Sequence, residues 1–60
     1  MTSERIKYIR IKLFMTQELF AKELKVHVAT VKSWEQDISI PSLKNQKKIF
    51  ELCKKYGINI

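Results

Sequence analysis

The sequence predicts an all-α fold, a compact bundle of four helices around one small core, and three observations carry that prediction. Apolar residues recur at spacings of three and four in four successive segments, the pattern of a helix with one buried face. Period-two alternation, which a half-buried strand needs, never runs beyond a few residues. The chain also lacks covalent or metal staples, because its 60 residues hold one Cys (Cys53) and one His (His27). A chain this short buries only about 60% of the surface that its unfolded form exposes. A helical core is therefore the remaining route to stability, with no room beside it for an enclosed active-site cavity. Without a repeat, a low-complexity run or a linker, residues 1–60 read as a single domain.

The first helix is marked by Ile6, Ile9 and Leu13, with Arg5, Lys7 and Lys12 off that face, over about ten residues. Ile11 and Phe14 are expected to widen its apolar face. Thr16 supplies an N-cap hydroxyl for a second helix over about 16–24, whose buried side is Phe20, Ala21 and Leu24. After Lys25 and Val26 comes a third, short helix with Val28, Val31 and Trp34 spaced by three. Asp37 to Ile40 lacks helical periodicity and reads as a loop, closing on Pro41 and Ser42 as the start of a fourth helix. Leu43, Ile49, Leu52, Cys53 and Tyr56 mark the apolar face of that helix, continued by Phe50. Gly57 stands where its C-terminus would take a left-handed residue. The tail Ile58-Asn59-Ile60 is apolar and β-prone, and leaves two readings, a frayed end or a short strand pairing with a second chain.

The formal charge of +6 points to a polyanion, either nucleic acid or an anionic surface. No stretch approaches the roughly 18 apolar residues of a membrane span, and the run from Ile6 to Phe14 is interrupted by Lys7, Arg10 and Lys12, unlike a signal peptide. The expectation is a cytoplasmic protein with no membrane partner.

Two short helices about three residues apart suggest a helix-turn-helix, and the stretch from about 17 to 36 fits that motif position by position. Phe20 and Leu24 face the core from its first helix, Val31 and Trp34 from its second, and Val26 plugs the turn. Ala21 is small where the helices cross closest. The joint occurrence of these six is what two helices packed at roughly a right angle require. With Thr16-Gln17 opening the motif, Phe20-Ala21 inside it, Val31 and Trp34-Glu35 in its second helix and Pro41-Ser42 beyond, the sequence resembles the phage repressor and Cro-like helix-turn-helix family, the XRE family. The resemblance covers roughly residues 5 to 56 and implies a lambda-repressor-like DNA-binding domain.

It also implies roles. The third helix would be the recognition helix, with Val28, Ala29, Lys32 and Ser33 directed at base edges in the major groove. Gln17 matches a family position that binds a backbone phosphate, and Thr16, His27, Gln36, Ser42 and Lys44 are further candidate phosphate contacts. Arg10 and Glu35 match a family ion pair tying the first helix to the third. From the residues themselves, Val28 and Ala29 are apolar yet fall outside the Val31 and Trp34 face and so suit thymine methyl groups, and Lys32 suits guanine, so base specificity should rest on few direct hydrogen bonds. The chain departs from the family in three places. Lys25 and Phe14 stand where Gly is usual, which makes Phe14 a partly exposed aromatic at a turn, and a non-Gly residue at positive φ costs about 1 kcal/mol or more. A fifth helix is missing or vestigial at Gly57–Ile60, which leaves a homodimer as an open partner.

Other readings of the same residues are plainer. His27 is a cap or phosphate contact before it is a metal ligand, Cys53 a small buried hydrophobe before a nucleophile, and Trp34 a core residue before a base-stacking one. Lys47, Lys48, Lys54 and Lys55 read as a solvated helix face. No catalytic constellation, metal, cofactor or small-molecule ligand is expected. The function that follows is sequence-specific binding of double-stranded DNA by a small transcriptional regulator. The alternative is a protein-interaction module, antitoxin-like or accessory, on the same fold.

Overall fold

The computed structural model describes residues 1–59 and contains four helices: α1 (Ser3–Lys12), α2 (Gln17–Leu24), α3 (Val28–Glu35) and α4 (Leu43–Lys55). Ile60, part of the apolar tail, lies outside the described residues. No strand occurs among the residues described.

Three of the helices begin on a side-chain cap. Thr2 Oγ1 accepts from the Arg5 amide at 3.1 Å, Thr16 Oγ1 from Leu19 at 3.1 Å and Ser42 Oγ from Asn45 at 3.2 Å. Each hydroxyl satisfies one of the amides that a helix start leaves unpaired. Pro41 is buried and lies just outside α4, before the cap rather than within the first turn.

All four helices end in the same way. The residue after the last full turn adopts φ near +60°, and two amides fold back onto carbonyls of the preceding turn. In α4 this residue is Gly57 at φ 71°, with the Ile58 amide on Cys53 O at 2.8 Å and the Gly57 amide on Lys54 O at 3.1 Å. The equivalent residues after α1, α2 and α3 are Phe14, Lys25 and Asp37, at φ 58°, 59° and 61°. This is the Schellman turn, and glycine is its natural occupant because it has no Cβ to clash.

The core gathers Ile6 and Ile9 from α1, Met15, then Phe20, Ala21 and Leu24 from α2, Val31 and Trp34 from α3, and Ile49, Leu52 and Cys53 from α4. Leu13, Val26, Val28 and Ile58 pack against its edge. α3 lies against both α1 and α2, and α4 against α2, so the motif formed by α2 and α3 is clasped from two sides. Burial pushes the Cys53 thiol above its ordinary range, partly offset by Arg5, and keeps it an uncharged core group.

Four apolar residues expected on buried faces are instead exposed, Ile11, Leu43, Phe50 and Tyr56, while Phe14 is exposed at its turn as its position in place of Gly suggests. The reason is geometric. On α1 the core is reached by Ile6 and Ile9, and Ile11 is two residues, or about 200°, beyond Ile9. Leu43 is the first residue of α4, before the helix reaches the body of the protein, and remains 83% exposed.

Candidate nucleic-acid interface

The turn between α2 and α3 is held entirely by main chain. The Lys25 amide donates to Lys22 O at 3.1 Å and the Val26 amide to Ala21 O at 3.0 Å, which reverses the chain within Lys25–His27. Val26 is half-buried against the core, and Ala21 is buried where a longer side chain would push the helices apart. His27 occupies the N-cap position of α3 but makes no cap hydrogen bond with its side chain.

A network of charged groups lies on the inner side of α3. Arg10 Nε donates to Glu35 Oε2 at 2.6 Å and Arg10 Nη2 to Glu35 Oε1 at 3.0 Å, a two-point guanidinium–carboxylate pair. Arg10 Nη1 donates to the carbonyl of Met15 at 2.9 Å, and Gln17 Nε2 to Glu35 Oε1 at 3.2 Å. The Glu35 side chain is only 2% exposed. Its hydrogen bond raises the Arg10 pKa against the opposing effect of burial, so the guanidinium is charged at any ordinary pH. One network thus links α1, the α1–α2 turn, the start of α2 and the end of α3. No residue type signals the Met15 carbonyl in advance, because a backbone acceptor is available to every residue.

The opposite face of α3 is turned outward. Ala29, Lys32 and Gln36 are exposed and Ser33 is half-buried. Their spacing of three, four and seven residues places them on one stripe of the helix. The Ser33 hydroxyl is 2.8 Å from that of Ser39 across the turn at Asp37, a partner that only the folded turn brings into reach. Val28 is not on this stripe. It lies at the flank, half-buried against the core, so its expected position outside the apolar face is corrected to the edge of that face.

The remaining candidates flank α3, and of them Gln17 hydrogen-bonds to it. Thr16 is exposed, and its oxygen accepts the Leu19 amide. Gln17 is half-buried and spends one amide hydrogen on Glu35. Ser42 and Lys44 are exposed at the start of α4, with the Ser42 oxygen capping that helix. Ile38 and Ile40, in the loop before it, are also exposed. No helix among the described residues is long and apolar enough to cross a membrane, and no group of His, Cys, Asp and Glu among them could hold a metal ion.

A family model described as helix-turn-helix matches residues 6–60, nearly the whole chain. Neither a curated protein nor a solved structure matches it.

Proposed function

This chain belongs to the helix-turn-helix family, in its phage repressor and Cro-like (XRE) branch of DNA-binding domains, and from that premise we propose that it binds double-stranded DNA sequence-specifically as a small transcriptional regulator. The observation that carries the reading is the division of α3 into two faces. One is fixed by the core and the Arg10–Glu35 pair, and the other presents Ala29, Lys32, Ser33 and Gln36 to solvent. A helix held so firmly from behind can enter a major groove, which is wide enough for one α-helix, without first being ordered by the DNA.

In this reading Lys32 donates to guanine O6 or N7, Ser33 reaches a neighbouring base edge, and Ala29, with the outer edge of Val28, meets thymine methyl groups. Thr16, Gln17 and His27 at the starts of α2 and α3, with Gln36, Ser42 and Lys44, contact phosphates on either side. The positive ends of the helix dipoles favour anions at those starts. With so few hydrogen-bonding side chains on the stripe, groove shape and phosphate contacts carry much of the specificity.

The test is selection of bound duplexes from a random pool, followed by titration of the recovered sequence over a range of salt. A recovered consensus and a log–log salt slope of about −0.9 per phosphate contacted support the reading. Failure to bind any duplex at low salt overturns it, as does equal affinity for the selected and unselected pools.

A further inference from the structure

Of the four residues that hold the left-handed turns after the helices, Phe14 is the one with a large apolar side chain. Its backbone sits at φ 58°, where a bulky residue is strained, and its side chain is 94% exposed. Glycine would serve this Schellman turn better, as Gly57 does after α4. A strained aromatic facing solvent gains nothing from the fold of its own chain, and backbone strain of this kind clusters at sites of function.

The ring stands in a larger patch. Phe14, Tyr8, Ile11, Lys12 and Ile58 line one shallow depression, where the outer side of α1 meets the residue that follows the α4 turn. Tyr8 is 50% and Ile11 58% exposed. With Phe14 they leave roughly 400 Å² of largely apolar surface in water, a size that on a monomer often marks a functional surface. Tyr8 and Ile11 are one turn apart on α1, the spacing of a ridge against which a second helix packs. The ridge points away from α3, since Tyr8 lies about 160° around the helix from Arg10, the residue that reaches Glu35.

The border of the patch is basic. Arg5 lies over the Tyr8 ring at 5.5 Å, Lys12 lines the depression, and Lys7 is exposed one turn before Ile11. Against these cations α1 carries one acid, Glu4, at the N-terminal end of the patch. We propose that the patch docks an acidic amphipathic helix of a partner protein, whose apolar face covers Phe14, Tyr8 and Ile11 and whose carboxylates meet Arg5, Lys7 and Lys12. Charge complementarity selects this occupant. A second copy would bring the same cations to the contact, in a chain whose net charge is already +6. Ile11 and Ile58 are aliphatic, which suits the packing of side chains but gives a nucleic-acid base no ring to stack on. The proposal does not rest on DNA binding, since none of these residues lies on the outer stripe of α3.

Isothermal titration calorimetry of the full chain tests it with three synthetic peptides as probes. One is a helix with Leu on one face and Glu on the other, the second has the same composition scrambled, and the third has Lys in place of Glu. The Leu–Glu helix is expected to bind and the other two to show no binding. Phe14→Gly should weaken that binding about 30-fold, the loss that follows removal of an aromatic anchor from the centre of an interface. The same variant should melt no lower than the parent, because the ring is exposed and glycine suits the turn, so lost binding cannot be mistaken for a lost fold. The double variant Lys7→Glu, Lys12→Glu should weaken binding more at low salt than at high salt. Equal binding of the scrambled peptide overturns the proposal, as does a Phe14→Gly variant that binds like the parent. A parent chain that binds none of the peptides overturns it too, and its flotation with phosphatidylglycerol vesicles would then assign the patch to an anionic bilayer.

Discussion

The two faces of α3 are built on opposite principles. Inward, Val31, Trp34 and Glu35 are buried, and the single carboxylate among them receives three hydrogen bonds from two other segments. Outward, the one side-chain hydrogen bond on the stripe among the described residues joins two hydroxyls, those of Ser33 and Ser39. A reading helix needs this asymmetry. The inner face sets where the helix lies, and the outer face is free to be matched to a sequence because stability does not depend on it. Substitutions on the two faces should therefore separate cleanly, the inner ones in unfolding experiments and the outer ones in binding experiments.

The largest effect belongs to the inner face. Arg10→Ala would leave Glu35 as a buried carboxylate without its cation and the Met15 carbonyl without its donor. Breaking such a pair from one side costs about 3–5 kcal/mol, against a total stability of about 3–9 kcal/mol for a chain of this size. Chemical denaturation should find Arg10→Ala largely unfolded. The double variant Arg10→Met, Glu35→Leu should recover most of the loss, because no buried charge is then left alone. If Arg10→Ala instead unfolds at the parent's denaturant concentration, the inner face does not hold α3 through this network.

The outer face should give the reverse. Lys32→Ala is expected to lower affinity for the selected duplex by about 1–3 kcal/mol and to relax preference at one base pair, while the unfolding midpoint stays within error of the parent. A uniform loss over all duplexes, with no change in preference, would assign Lys32 to a phosphate instead.

Much of this division could be read from the sequence. Phe20, Leu24, Val31 and Trp34 repeat at helical spacing, and the hydroxyls of Thr16 and Ser42 precede the helices they cap. Spacing reports direction around a helix axis but not how far the neighbouring elements extend, which is why it points Leu43, Ile11 and Tyr56 inward although they lie outside. Val28 shows the same limit from the other side, since an apolar residue at the edge of a stripe can lean either way. The rest of the Arg10–Glu35 network is illegible for a different reason. Met15 contributes a carbonyl that its side chain does not advertise, and Gln17 bonds inward to Glu35 from a helix start at which a phosphate partner was the expectation.

The smallest effect tests whether the two faces are coupled through the turn that joins α2 to α3. Lys25 holds φ at 59° with a full side chain, at a cost of about 1–2 kcal/mol relative to glycine. Glycine in turn loses about 0.5–1 kcal/mol more backbone entropy on folding. Relief of the clash outweighs that loss, so Lys25→Gly should stabilise the fold by about 0.5–1 kcal/mol, a rise of roughly 2–8 °C in melting temperature. Lys25→Ala, which removes the same charge but keeps the Cβ, should give no such rise and serves as the control for lost charge. Asp37→Gly should gain less than Lys25→Gly, because Asp tolerates the left-handed region better than Lys. DNA affinity should be equal in Lys25→Gly and Lys25→Ala. If the glycine variant binds more weakly than the alanine variant, the strained turn contributes to the placement of α3 on DNA, and the separation between its inner and outer faces is incomplete.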